Sequence, residues 1–92
     1  MNFENIHNYY ESLVIQHAMK THAKSDDYDE DGLEDIVCLA LNNLPARYVR
    51  HDVDMAFFLT SQEREKMQHD VIEAVQGAAQ TVKQRNRETE ST

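Results

Sequence analysis

Arg47, Arg50 and His51 lie within five residues of one another, in a chain with 9 Lys and Arg against 17 Asp and Glu and a formal net charge of −8. Two guanidinium groups flanking the ring of Tyr48 could fork to phosphate oxygens, stack on a purine or read its O6/N7 edge. His51 could touch the same anion. The alternative is structural: Tyr48 and Val49 pack into the core while both arginines are solvated or pair with Asp52 and Asp54.

Other clusters carry less. Asp27, Asp29 and Asp31, followed by Gly32, match the opening of an EF-hand calcium loop. The loop then fails, because its twelfth position is Cys38 instead of a bidentate glutamate and its eighth is Glu34 instead of an apolar residue. The expectation is a solvated acidic loop that also caps a helix. The histidines (His7, His17, His22, His51 and His69) form no HxxxH pair, and HExxH is absent. Cys38 sits among Val37, Leu39 and Ala40, which predicts burial, and a buried thiol without a base is a poor nucleophile. No glycine-rich phosphate loop, GxSxG elbow or suitably paired carboxylates occur, so no enzyme, metal site or cofactor is expected.

These residues must be positioned by a small frame. Ninety-two residues make one domain with little room for a deep catalytic pocket. No run of eighteen apolar residues is present and Met1-Asn2-Phe3-Glu4 does not resemble a secretory leader, so the expected location is cytoplasmic. A single cysteine agrees with a reducing compartment. The acidic balance disfavours wrapping by DNA or RNA and docking to an anionic membrane, but a small anion needs only a local basic patch.

Apolar periodicity gives the elements. Phe3, Ile6, Tyr10, Leu13, Val14 and His17 share a stripe that predicts a first helix from Phe3 to about Thr21, capped by Asn2, with Glu4, Asn8, Glu11 and Ser12 on the solvated face. Residues 22–31 read as an exposed acidic loop. Asp31 and Glu34 then resemble a capping box for a helix over Gly32–Asn43, the central one, with Leu33, Ile36, Val37, Ala40, Leu41 and Leu44 on one face, stopped by Pro45. From Tyr48 to Leu59 the alternation of Val53, Met55, Phe57 and Leu59 is nearer period two, which predicts an extended segment or short strand. Thr60 to Glu63 is a second capping box, and Met67, Val71, Ala74, Val75, Ala78 and Val82 trace a long last helix whose apolar face Ile72 and Ala79 widen. Gly77 inside it suggests close approach of another helix. The expected domain spans 1–82, with a polar, disordered tail over 83–92. The fold class is all-α, three or four helices with a short extended segment near 50–59, and surplus apolar flanks suggest a two-fold homodimer.

The stretch from Asp35 through Ala40-Leu41-Asn42-Asn43-Leu44-Pro45-Ala46-Arg47-Tyr48-Val49 resembles the signature of the late-competence ComFB family: an acidic residue leading an A-L-N-x-L-P-x-x-Y-V run. Ala46 departs from it, since many relatives carry a second proline there, which implies a less rigid turn. The resemblance implies an α-helical homodimer and, for some members, a receptor for cyclic dinucleotides such as cyclic di-GMP. It also implies a regulatory role in competence or signalling, with an unidentified protein partner as the alternative to a small ligand. Members with structural zinc place cysteines before the central helix. This chain has its acidic segment there and only Cys38 nearby, so the zinc is not carried over. The expected ligand-binding set is Arg47, Tyr48, Arg50 and His51, with Asn42 and Asp35 from the signature.

Overall fold

In the computed structural model, which describes residues 3–90 and the side chains of 3–86, three helices enclose one apolar core. A 3-10 turn, Phe3–Asn5, leads to strand β1 (His7–Asn8) and helix α1 (Tyr10–His22). Helix α2 (Glu30–Asn42), strand β2 (Tyr48–Val49), the short helix α3 (Asp52–Phe58) and the long helix α4 (Ser61–Glu90) follow. The two strands pair antiparallel, His7 opposite Val49 and Asn8 opposite Tyr48. This is a mostly helical small domain of four helices with one short strand pair.

The core is built at helical spacing, as the periodicity requires. Tyr10, Val14 and Ala18 of α1 meet Ile36 and Ala40 of α2, and Val71, Val75, Ala78, Ala79 and Val82 of α4 close the third side. Val14, Ile36 and Val75 are the largest fully buried side chains. Each contributes about 1.5–3 kcal/mol relative to exposure. Leu44 is buried just before Pro45, so the helix end is itself part of the core.

Several expectations fail, each for a physical reason. The first helix starts at Tyr10 instead of Phe3, because the preceding residues are drawn into a strand with β2; Phe3 and Ile6 stay exposed. The expected cap Asn2 lies outside the described residues. Asn8, placed on the solvated face by periodicity, is buried. The cap of α2 is Asp29, whose Oδ1 accepts from Gly32 N–H at 2.7 Å, two residues earlier than expected. The acidic loop is not wholly solvated either. Tyr28 O–H donates to the Ala79 carbonyl at 2.9 Å and Asp27 pairs with Lys83 at 3.3 Å, which pins the loop to α4.

Residues 52–58 are helical, not extended. The alternating pattern contains an i,i+4 pair, Met55 in the helix and Leu59 at its C-cap, and these two are the buried residues of the segment. Asp52 and Asp54 fall in its first turn, where carboxylates favour a helix N-terminus. Thr60 does cap α4: its Oγ1 accepts from Glu63 N–H at 3.1 Å and donates to Glu63 Oε1 at 3.1 Å. Helix α4 continues past the apolar stripe, which ends at Val82, as far as Glu90. Gly77 faces open space with nothing within 4 Å of a Cβ built there, so no helix among the described residues approaches it. Cys38 is exposed, because the buried stripe of α2 runs through Ile36 and Ala40 and leaves position 38 on the outer side.

Candidate functional site

Pro45 ends α2 and releases the chain into the stretch that reaches β2, and this stretch is held from both sides at Arg47. Asn8 Oδ1 accepts from Arg47 N–H at 3.0 Å and also from Tyr10 N–H at 3.2 Å. Tyr9 N–H donates to the Arg47 carbonyl at 2.7 Å. The backbone of Arg47 is therefore fixed by groups at the start of α1, and its side chain leaves from a preorganised point. The buried asparagine matters most for the Tyr10 N–H, which lies away from water, while the Arg47 N–H is only partly buried.

The Arg47 side chain borders a cavity of about 240 Å³ whose lining also includes Tyr10, Pro45, Lys66 and Asp70. Lys66 Nζ donates to Asp70 Oδ2 at 2.8 Å, and this hydrogen bond raises the lysine pKa above its ordinary value. Burial pushes the Tyr10 phenol up, and Asp70 adds to that. At neutral pH the phenol stays a neutral O–H. No Arg47 or Arg50 ion pair with a carboxylate occurs among the described residues.

Asp52, a partner for the arginines in the structural alternative, is engaged elsewhere. Its Oδ1 lies 2.6 Å from His7 Nε2, while His7 Nδ1 lies 2.8 Å from the Asn5 carbonyl. Both oxygens accept, so the imidazolium form satisfies both contacts. The Asn5 carbonyl first, and the Asp52 side chain second, raise the His7 pKa above 6.5.

Tyr48 does not pack into the core; it is 69% exposed. Alternation along the strand sets Tyr48 and Arg50 on one side and Arg47 with half-buried Val49 on the other. His51 is exposed at the N-cap of α3 without a side-chain capping bond. Asp35 and Asn42 are exposed on α2, seven residues apart and so on one flank of the helix. The structure thus brings Arg47, Tyr48, Arg50 and His51 into one exposed segment, with Asp35 and Asn42 on the neighbouring helix. Asn8, Tyr9, Tyr10 and Lys66 were missed by sequence reasoning. Tyr10 had a signal, its place on the apolar stripe; Asn8 had none, since only a partner 39 positions away reveals its role.

Among the described residues no group of three or more His, Cys, Asp or Glu side chains could hold a metal ion. No helix there is long and apolar enough to cross a membrane.

Fold and site together define a small helical domain that presents an arginine-bearing loop between its central helix and its long last helix. The chain belongs to the late competence development protein ComFB family, whose model matches residues 7–86. No curated protein and no solved structure matches the chain.

Proposed function

We propose that this protein is a cytoplasmic, non-catalytic receptor for a cyclic dinucleotide of the cyclic di-GMP type, working as a two-fold homodimer. The observation that carries the reading is the presentation of Arg47: its backbone is clamped at both N–H and carbonyl, and its guanidinium has no carboxylate partner among the described residues. Tyr48, on the opposite side of the strand with Arg50, offers an exposed ring on which a base can stack. Arg50 and His51 add donors for phosphate, and Asp35 and Asn42 supply an acceptor and an amide for a base edge. A cyclic dinucleotide is itself two-fold symmetric, so an isologous dimer can hold each half with the same residues. Membership of the ComFB family supports the reading.

Isothermal titration with cyclic di-GMP, with cyclic di-AMP and GTP as controls, tests it. Saturable binding at one or two ligands per dimer is expected, and Arg47→Ala and Arg50→Ala each weaken it about tenfold or more without shifting the unfolding transition. No heat and no thermal shift with any of the three ligands would refute the receptor reading. Two single variants that bind as well as the parent would refute the site.

A second reading, a protein-interaction module without a small ligand, is favoured by α3. Its Phe57 and Phe58 are 80% and 78% exposed, and Val53 joins them on the surface. Pull-down with the parent and with Phe57→Ser, Phe58→Ser separates the two, since a partner held by this face is lost from the variant while cyclic di-GMP binding is kept.

A further inference from the structure

A cavity larger than the one that Arg47 borders lies beside it. A groove of about 440 Å³ lies between α1 and α4, lined by the apolar side chains of Leu13, Leu59, Met67, Val71 and Ile72 together with Tyr9, Gln16 and Gln68. Its volume falls in the range of about 300–1,000 Å³ typical of small-molecule sites. Every ionisable side chain with a charge to offer here is cationic. Lys20, Arg64 and His17 line the groove, and no Asp or Glu does.

That sign is unexpected in this chain, where acids outnumber bases by almost two to one. The smaller cavity beside it follows the general balance, with Glu63 and Asp70 set against Arg47 and Lys66. Neither Lys20 nor Arg64 makes an ion pair among the described residues. Arg64 Nη2 donates to the Ala56 carbonyl at 3.2 Å, which tethers the guanidinium to α3 and leaves most of its five donors for another acceptor. The cation at this end of the groove is thereby held in place by a short helix and is not a freely swinging surface side chain.

From this we propose that the groove between α1 and α4 binds an amphipathic organic anion, its carboxylate or phosphate head held by Lys20 and Arg64 and its apolar body laid along Leu13, Met67, Val71 and Ile72. An uncharged apolar molecule would leave both cations without a counter-ion. A strongly polar anion would leave the apolar side chains wet, so neither satisfies the whole surface. A second copy of this chain, acidic overall, could also cover Ile72, and the oligomeric state distinguishes that occupant from a small anion. This site is separate from the Arg47 loop, and its ligand differs from a cyclic dinucleotide in having an apolar body.

The test is an amide chemical-shift titration of the full chain with decanoate and with decyl phosphate below their micelle concentrations, using 1-decanol as the uncharged control. Saturable shifts are expected at residues 13–20 and 64–72, with decanol at least tenfold weaker. Lys20→Gln and Arg64→Gln should each weaken decanoate about tenfold. Cyclic di-GMP binding should be unchanged in both variants, so failure of one site does not register as failure of the other. Equal binding of decanol and decanoate, shifts located elsewhere, or unchanged affinity in both charge variants would overturn the proposal. So would a dimer that excludes decanoate and that Ile72→Glu converts to a monomer, because a second copy would then own the groove.

Discussion

Replacing Asn8 by alanine removes one side-chain oxygen and with it the two hydrogen bonds that join the start of α1 to the Arg47 loop. The Arg47 bond, at 3.0 Å, has ordinary length and the Tyr10 bond, at 3.2 Å, is longer and weaker. A typical net hydrogen bond is worth about 0.5–1.5 kcal/mol, and a buried donor left without a partner costs about 1–3 kcal/mol. The Tyr10 N–H is buried and the Arg47 N–H only partly so, which allows water to reach the second. The expected loss is therefore about 2–3 kcal/mol, a large share of the roughly 5–14 kcal/mol that a chain of this length holds. Urea denaturation at fixed protein concentration should show the midpoint falling by about 2 M, at a slope of about 1–1.5 kcal/mol/M. Asn8→Asp, which keeps an accepting oxygen in the same place, should recover most of it. An alanine variant that unfolds within about 0.5 kcal/mol of the parent would mean that the loop is positioned by something else.

Three further outcomes follow from the geometry. Asp29→Ala should cost about 1 kcal/mol in thermal or urea unfolding while Asp31→Ala stays near neutral, because Asp29 makes the capping bond; the reverse order would restore the cap to Asp31. His7 has a raised pKa in the folded state, so its contribution to stability is fully present below the unfolded value near 6.5 and is lost as pH rises through the folded value. Stability measured across that window should fall with rising pH in the parent more steeply than in His7→Gln, and parallel profiles would show that the Asp52 contact does not couple to folding. Gly77→Ala should stabilise by about 0.8–1 kcal/mol, since the position is helical and open; a destabilised variant in a calorimetric scan would reveal a surface that another copy or partner approaches.

How much of this was legible in advance depended on the range of the interaction. Helical spacing named the core residues of α2 and α4, the Thr60 box named the start of α4, and Pro45 named the end of α2, because periodicity, capping and proline sterics all act within about four residues. The Asp35–Val49 signature named the family. The period-two pattern over 53–59 was ambiguous by nature, as every i,i+4 pair is also a pair at even spacing. The burial of Cys38 was misread because apolar neighbours in sequence say nothing of which side of a helix faces the core.

By itself, then, the sequence determined that a small acidic domain would be built from helices, which faces of the central and last helices would be apolar, and that basic side chains would gather after Pro45. Only the tertiary structure decided that residues 7–8 would leave the first helix to pair with β2, and that Asn8 would hold the Arg47 backbone across 39 positions. It also decided that His7 would take Asp52 across 45 positions, and that Tyr28 would fasten the acidic loop to α4 across 51. Each of those contacts joins polar groups that carry no periodicity. Their partners are selected by where the packed helices bring the chain, and that placement exists only after the core has closed.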